Sequence, residues 1–120
     1  MVIKASQVRL EKHGLGMADM TAIEWNEAFA VIDGLFETHY PDLLDRYNIF
    51  GGALAYGHPY GASAAIIILH LMRALEIKNG HYGIAAIAAA GGQGFAVLLK
   101  YHKEFSHADK ARILGKAMPK

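Results

Sequence analysis

The sequence predicts an α/β domain from three observations. The run from Ala62 to Ile77 is helical in length and in its alanine, leucine and methionine content. Phe29, Ile32 and Phe36 recur at spacings of three and four, which marks a second, amphipathic helix. Two apolar runs, Tyr82 to Ala90 and Phe95 to Tyr101, flank a glycine-rich connection and read as strands.

Taken in order, residues 4–13 read as a short amphipathic helix, with Ala5, Val8 and Leu10 near one face and Gly14 as its stop. A loop then leads to a brief strand at Ala22 to Trp25. Asn26 and Glu27 open the helical pattern through Phe36, with Val31 and Leu35 beside the stripe. Pro41 starts a further turn or two. Ile49 and Phe50 lead into a glycine loop. The helix at 62–77 is apolar nearly all round, so it calls for cover on several sides. Asn79-Gly80 ends it. The domain is expected to span residues 1–101. Residues 102–120 are polar and basic and read as an appended helix or tail.

The chain has 120 residues, 53% of them hydrophobic and 10% aromatic, which suits one domain with a packed core. A formal net charge of +1 gives no general case for nucleic acid or an anionic membrane. There is no cysteine, which excludes disulfides, a cysteine nucleophile and a thiolate metal site within these residues. The first residues lack the apolar core of a secretory signal, and the most apolar run carries His70 and Arg73 and is too short to span a bilayer. The expectation is a soluble, cytoplasmic protein.

The stretch from Asn48 to Ser63, NIFGGALAYGHPYGAS, is where a polar side chain is aimed at something. His58 is fixed between Gly57, which permits a tight turn, and Pro59, which pre-sets one. Taken alone, His58 reads either as a site residue or as a turn histidine bonded to backbone. Asn26 reads as a helix N-cap, a site residue or both. Ser63 reads as a cap, since no acidic partner is visible for a nucleophile. The turn at Gly91, Gly92, Gln93 and Gly94 closes a hairpin and lacks the lysine and hydroxyl of a phosphate loop. The other histidines lie at 13, 39, 70, 81, 102 and 107. His70 reads as a core or interface residue, and His102 and His107 have no third ligand, so no metal site is expected. Lys103, Lys110, Lys116 and Lys120 read as a solvated face.

Three of these stretches resemble the motifs of the thiolases, the acyl-CoA C-acyltransferases. Asn26-Glu27-Ala28-Phe29-Ala30 resembles their NEAFA motif. Gly51-Gly52-Ala53 with Gly57-His58-Pro59 and Gly61-Ala62-Ser63 resembles their GGA…GHPxGAS motif. Gly91-Gly92-Gln93-Gly94 resembles the end of their C-x-G-G-G-x-G motif. The resemblance runs from about residue 4 to residue 101 and covers only the C-terminal portion of a thiolase. It implies half of a layered α-β-α-β-α arrangement, with a mixed sheet and helix 62–77 as a buried central layer. It also implies that His58 donates to a thioester oxygen and that Asn26 positions a water completing that oxyanion hole. The backbone at 90, 91 and 92 would form a second hole. Two positions depart from the pattern. Ala88 stands where the family has its general acid/base cysteine, and Ala90 where it has a glycine. Alanine can neither transfer a proton nor carry an acyl group.

Two functions follow. One is a thiolase-like acyltransferase subunit, acting on acyl-CoA or acyl-carrier thioesters as substrates without another cofactor. In it His58 and Asn26 would complete a site whose cysteine nucleophile lies on a separate N-terminal thiolase-like chain. The other is a non-catalytic thiolase-like module that binds CoA thioesters or serves assembly, or a truncated pseudoenzyme. The resemblance implies self-association or a heteromeric partner, and no nucleic-acid or membrane partner is expected.

Overall fold

The computed structural model describes residues 2–59, 61–89 and 92–102. Helix α1 spans Val2–Glu11, strand β1 Ala22–Trp25 and helix α2 Ala30–His39. A 3-10 segment, Pro41–Arg46, leads to the short helix α3, Ala53–Tyr56. Helix α4 spans Ser63–Lys78, and strands β2 and β3 span Tyr82–Ala89 and Gln93–Lys100. The sheet has the order β1-β2-β3. It is mixed: β1 runs parallel to β2, with Ala22 opposite Gly83 and Trp25 opposite Ala86. Strand β2 runs antiparallel to β3, with Tyr82 opposite Lys100 and Ala89 opposite Gln93. The parallel pair needs a long crossover, and residues 26–81 supply it.

Side chains alternate across the sheet, so each face has its own core. On one face Ile23, Trp25, Ile84, Ala86 and Leu98 pack with Val2 and Leu10 of α1 and Ile32 and Phe36 of α2. On the other, Ala22, Ala85, Ile87 and Leu99 pack with Ile67, Leu71, Ala74 and Leu75 of α4. All of β1 is buried, as expected of a strand covered on both faces. Gly83 admits α4 closely, since a Cβ there would lie 2.7 Å from Leu71 Cδ1. The sheet covers one face of α4 only. Leu69, Met72 and Ile77 are exposed, so the other sides of this apolar helix are left open by the described residues.

Three local expectations are corrected. The buried face of α1 is Val2, Ser6 and Leu10, and Val8 is exposed, because a four-residue spacing tracks the sheet better than three. Helix α2 opens at Ala30 and not at Asn26. Asn26 instead prolongs β1, its N–H donating to the Ala86 carbonyl at 2.9 Å, and Phe29 is 71% exposed. Strand β3 begins at Gln93, so Gln93 and Gly94 belong to the strand and the connection is tighter than its glycines suggested. The stop of α4 is as read: Asn79 is left-handed, and the Gly80 N–H donates to the Leu75 carbonyl. Residues 103–120, including the tail lysines and His107, lie outside the described residues.

The free edge of β1 is closed by Asn48. Its Oδ1 accepts the Trp25 N–H and its Nδ2 donates to the Trp25 carbonyl, both at 3.0 Å. One side chain thus replaces a neighbouring strand, continuing the bridge that Tyr47 makes to Ile23. Asn48 is buried with φ +42°, a conformation that asparagine tolerates better than most residues. Replacing it removes two buried partners at once. Asn48→Ala is expected to lower the unfolding free energy by ~2–6 kcal/mol in urea denaturation, each of the two backbone groups left unpaired costing ~1–3 kcal/mol.

Candidate active site

The site is built where the end of β1, the glycine loop and the start of α4 converge. Gly52 leaves room there for the Glu27 carboxyl, which a Cβ at this position would displace. Glu27 Oε1 accepts the Leu54 N–H at 3.3 Å and so sits at the start of α3, where a negative charge is favoured. After α3, Gly57 takes φ +101°, a conformation that side chains resist. The next residue, His58, is turned back towards β1. The Pro59 carbonyl then accepts from the Ala62 and Ser63 N–H groups and from Ser63 Oγ at 3.1 Å, which starts α4.

His58 lies between two polar side chains. Its Nδ1 shares a short hydrogen bond with Ser63 Oγ. Asn26 Nδ2 lies 3.4 Å from Nδ1 and 3.5 Å from Nε2. Near-equal distances to both ring nitrogens mean that the amide is not aimed along either lone pair. Asn26 is 2% exposed, and its Oδ1 is buried without a hydrogen-bond partner among the described residues. His58 is half-buried. The structure thus brings together two of the predicted residues, Asn26 and His58. Ser63 joins them as a partner of His58; the N-cap of α4 is Ala62, so Ser63 is not the cap it was read as.

Ala88 lies on β2 opposite Gly94, half-buried against the α1–α2 core. Gly92 has φ +80°. Ala90 and Gly91 lie outside the described residues. Among the described residues no group of three or more His, Cys, Asp or Glu side chains is placed to hold a metal, and no helix is long and apolar enough to cross a membrane.

Sequence reasoning missed the acidic surroundings. Glu24 is 2% exposed, and burial, reinforced by the Glu27 charge, pushes its carboxyl up to about 8. Burial also raises the Glu27 carboxyl, with help from a hydrogen bond to Asp33. Tyr47 donates to Asp33, and burial holds its phenol protonated throughout the ordinary range. The available signal was the two-residue period of Ala22, Glu24 and Asn26, which puts all three on the strand face that meets α4.

The fold is an α/β layer structure whose site pairs an asparagine at a strand end with a histidine in a glycine loop. Residues 2–101 match the family of the thiolase C-terminal domain, and the chain belongs to that family. It is 37% identical over 98 residues to an acetyl-CoA acetyltransferase of Escherichia coli strain K12, covering 82% of this chain and 25% of that protein. It is 38% identical over 91 residues to the mitochondrial 3-ketoacyl-CoA thiolase of Homo sapiens, covering 76% and 23%. The crystal structure of human mitochondrial 3-ketoacyl-CoA thiolase in complex with CoA superposes with a TM-score of 0.76 at 36% identity, over 81% of this chain and 25% of that one. The chain therefore spans about a quarter of the length of these relatives.

The raised Glu24 carboxyl has a consequence for stability. The folded chain keeps a proton that the unfolded chain releases at its ordinary value of 4.5, so stability is greatest below that pH and falls as pH rises towards about 8. The melting temperature is expected to decline across this window. Glu24→Gln should flatten the decline, leaving a residual slope from Glu27, whose shift has the same sign.

Proposed function

We propose that this chain contributes the oxyanion-stabilising part of a thiolase-type acyltransferase acting on acyl-CoA thioesters. The observation that carries this reading is the Asn26–His58–Ser63 arrangement, set by the family's own motifs and held at the mouth of the glycine loop. Carbon–carbon bond formation or cleavage next to a thioester needs an acyl-carrying nucleophile, removal of an α-proton and stabilised oxyanions. His58 would donate to the thioester oxygen. Asn26 would hold a water in the same hole; its Oδ1, buried and unpartnered among the described residues, is an acceptor suited to one. The sequence has no cysteine, so the nucleophile would come from a thiolase-like N-terminal portion outside these 120 residues, on a partner chain. The backbone at 90–92 would offer the second hole. The exposed Leu69, Met72 and Ile77 of α4 support cover by another portion of such an enzyme.

A second reading is favoured by Ala88 and Ala90. With neither the acid/base cysteine nor the first glycine of that motif, the chain would serve as a non-catalytic thiolase-like module that binds CoA thioesters or supports assembly.

The two readings separate on the material isolated from the native cells. A native mass spectrum showing a stoichiometric second chain with a cysteine that acylates from acetyl-CoA supports the enzyme. A species of this chain alone, with no acyl adduct, leaves the module. In an active complex His58→Ala is expected to lower turnover by ~10²–10³-fold, the usual effect of losing one oxyanion donor; unchanged turnover would remove His58 from the mechanism. In a silent complex, gain of thiolysis on restoring Ala88→Cys and Ala90→Gly together would mark a degenerate enzyme.

A further inference from the structure

A second polar contact crosses the β1–α4 interface, and the proposed chemistry does not use it. Glu24 and Asn26 share one face of β1. Asn26 meets His58 beside Ser63, the first residue of α4. Glu24 meets His70 farther along the same helix, with Oε1 3.6 Å from Nδ1. His70 Nδ1 is buried and has no hydrogen-bond partner among the described residues. At 3.6 Å the contact is too long for a hydrogen bond but needs only a small shift to become one. Glu24 is almost fully buried, whereas the His70 side chain is 30% exposed.

The loop that carries His58 is clasped onto this pair. The Phe50 ring meets His70 at 5.5 Å and 60°, and the Tyr56 ring meets it at 5.4 Å and 85°. Phe50 opens the glycine loop and Tyr56 ends α3, two residues before His58. Both ends of the segment that aims His58 therefore rest on one imidazole. That imidazole rests in turn on the buried Glu24 carboxyl.

We propose that Glu24 and His70 form a one-proton latch whose protonation state sets the position of the 50–58 loop and hence of His58. The inference rests on the reading of His58 as a site residue and makes Glu24 and His70 positioning residues. In the latched state the single proton sits on Glu24 and points at His70 Nδ1, and the pair is neutral. In the released state that proton has left to solvent. The imidazole proton has then moved from Nε2 to Nδ1, where it donates to the carboxylate. A net negative charge is left in the interface. Glu27 faces the same region from the end of β1 and adds repulsion; Tyr47 and Tyr56 present raised phenols that remain neutral and offer no compensation. The charge draws water towards Glu24, and the rings of Phe50 and Tyr56 are what must yield.

The test follows the labelled chain by NMR from neutral to alkaline pH. It reads the Glu24 carboxyl carbon, the His70 and His58 imidazoles, and the Tyr56 and Gly57 amides. The expected result is one transition near pH 8 shared by Glu24, Gly57 and His58. Glu24→Gln should abolish that transition at Gly57 and His58. His70→Phe keeps a ring for the clasp and removes both nitrogens, so the Glu24 midpoint should rise and the loop signals should follow it. The latch is overturned if Glu24 titrates while Gly57 and His58 stay still, or if their transition survives Glu24→Gln with the same midpoint. If either variant fails to fold, coincidence or non-coincidence of the midpoints in the unaltered chain decides alone. None of these signals depends on acyl transfer, so failure of the latch and failure of the acyltransferase reading are separate outcomes.

Discussion

The pairing of Asn48 with the backbone of Trp25 is the constraint on which the rest depends. Strand β1 has only four residues and is buried on both faces, yet among the described residues one of its edges has no strand beside it. Buried backbone groups must be paired, and Asn48 pairs two of them with a single side chain. The same residue begins the glycine loop. Closing the strand and launching the loop are therefore one event, and His58 returns to the end of the strand from which the loop set out.

Around that anchor the protein concentrates acidic groups, and burial raises the carboxyls of Glu24 and Glu27. Glu24, Glu27, Asp33 and Tyr47 lie within reach of one another behind the loop; the Glu24 carboxyl is raised by lost hydration first and the Glu27 charge second, and that of Glu27 by lost hydration first and its hydrogen bond to Asp33 second. Glu27 recovers part of this cost by accepting the Leu54 N–H and by a hydrogen bond to Asn48. Aromatic packing closes the network from the α2 side, with Phe36 stacked on Tyr47 at 4.0 Å and set edge-on to Trp25 at 5.0 Å. The result is a stiff platform beneath a loop that is itself rich in glycine.

The two halves of the site differ in what they retain. The strand-and-loop half carries Asn26 and His58, the polar residues proposed to hold an oxyanion. The hairpin half has Ala88 and Ala90 where the resemblance to thiolases implies a cysteine and a glycine. Ala88 packs against the α1–α2 core, so a small apolar side chain there suits the fold whatever its effect on chemistry.

The sequence by itself determined the α/β class and the positions of β1, α4 and the terminal hairpin. These are legible because hydrophobic period, glycine and proline are local signals. Helix starts were less legible: Asn26 has the chemistry of a cap, and only its ladder bond to Ala86 shows that it prolongs a strand. Tertiary structure alone decided that Val8 and Phe29 face outward, that Ser63 serves His58, that Asn48 stands in for a strand, and that Glu24 meets His70. Each of these depends on which residues far apart in the chain become neighbours. A carboxyl that reads as surface charge in the sequence becomes a buried acid only when a helix some forty-five residues later folds over it.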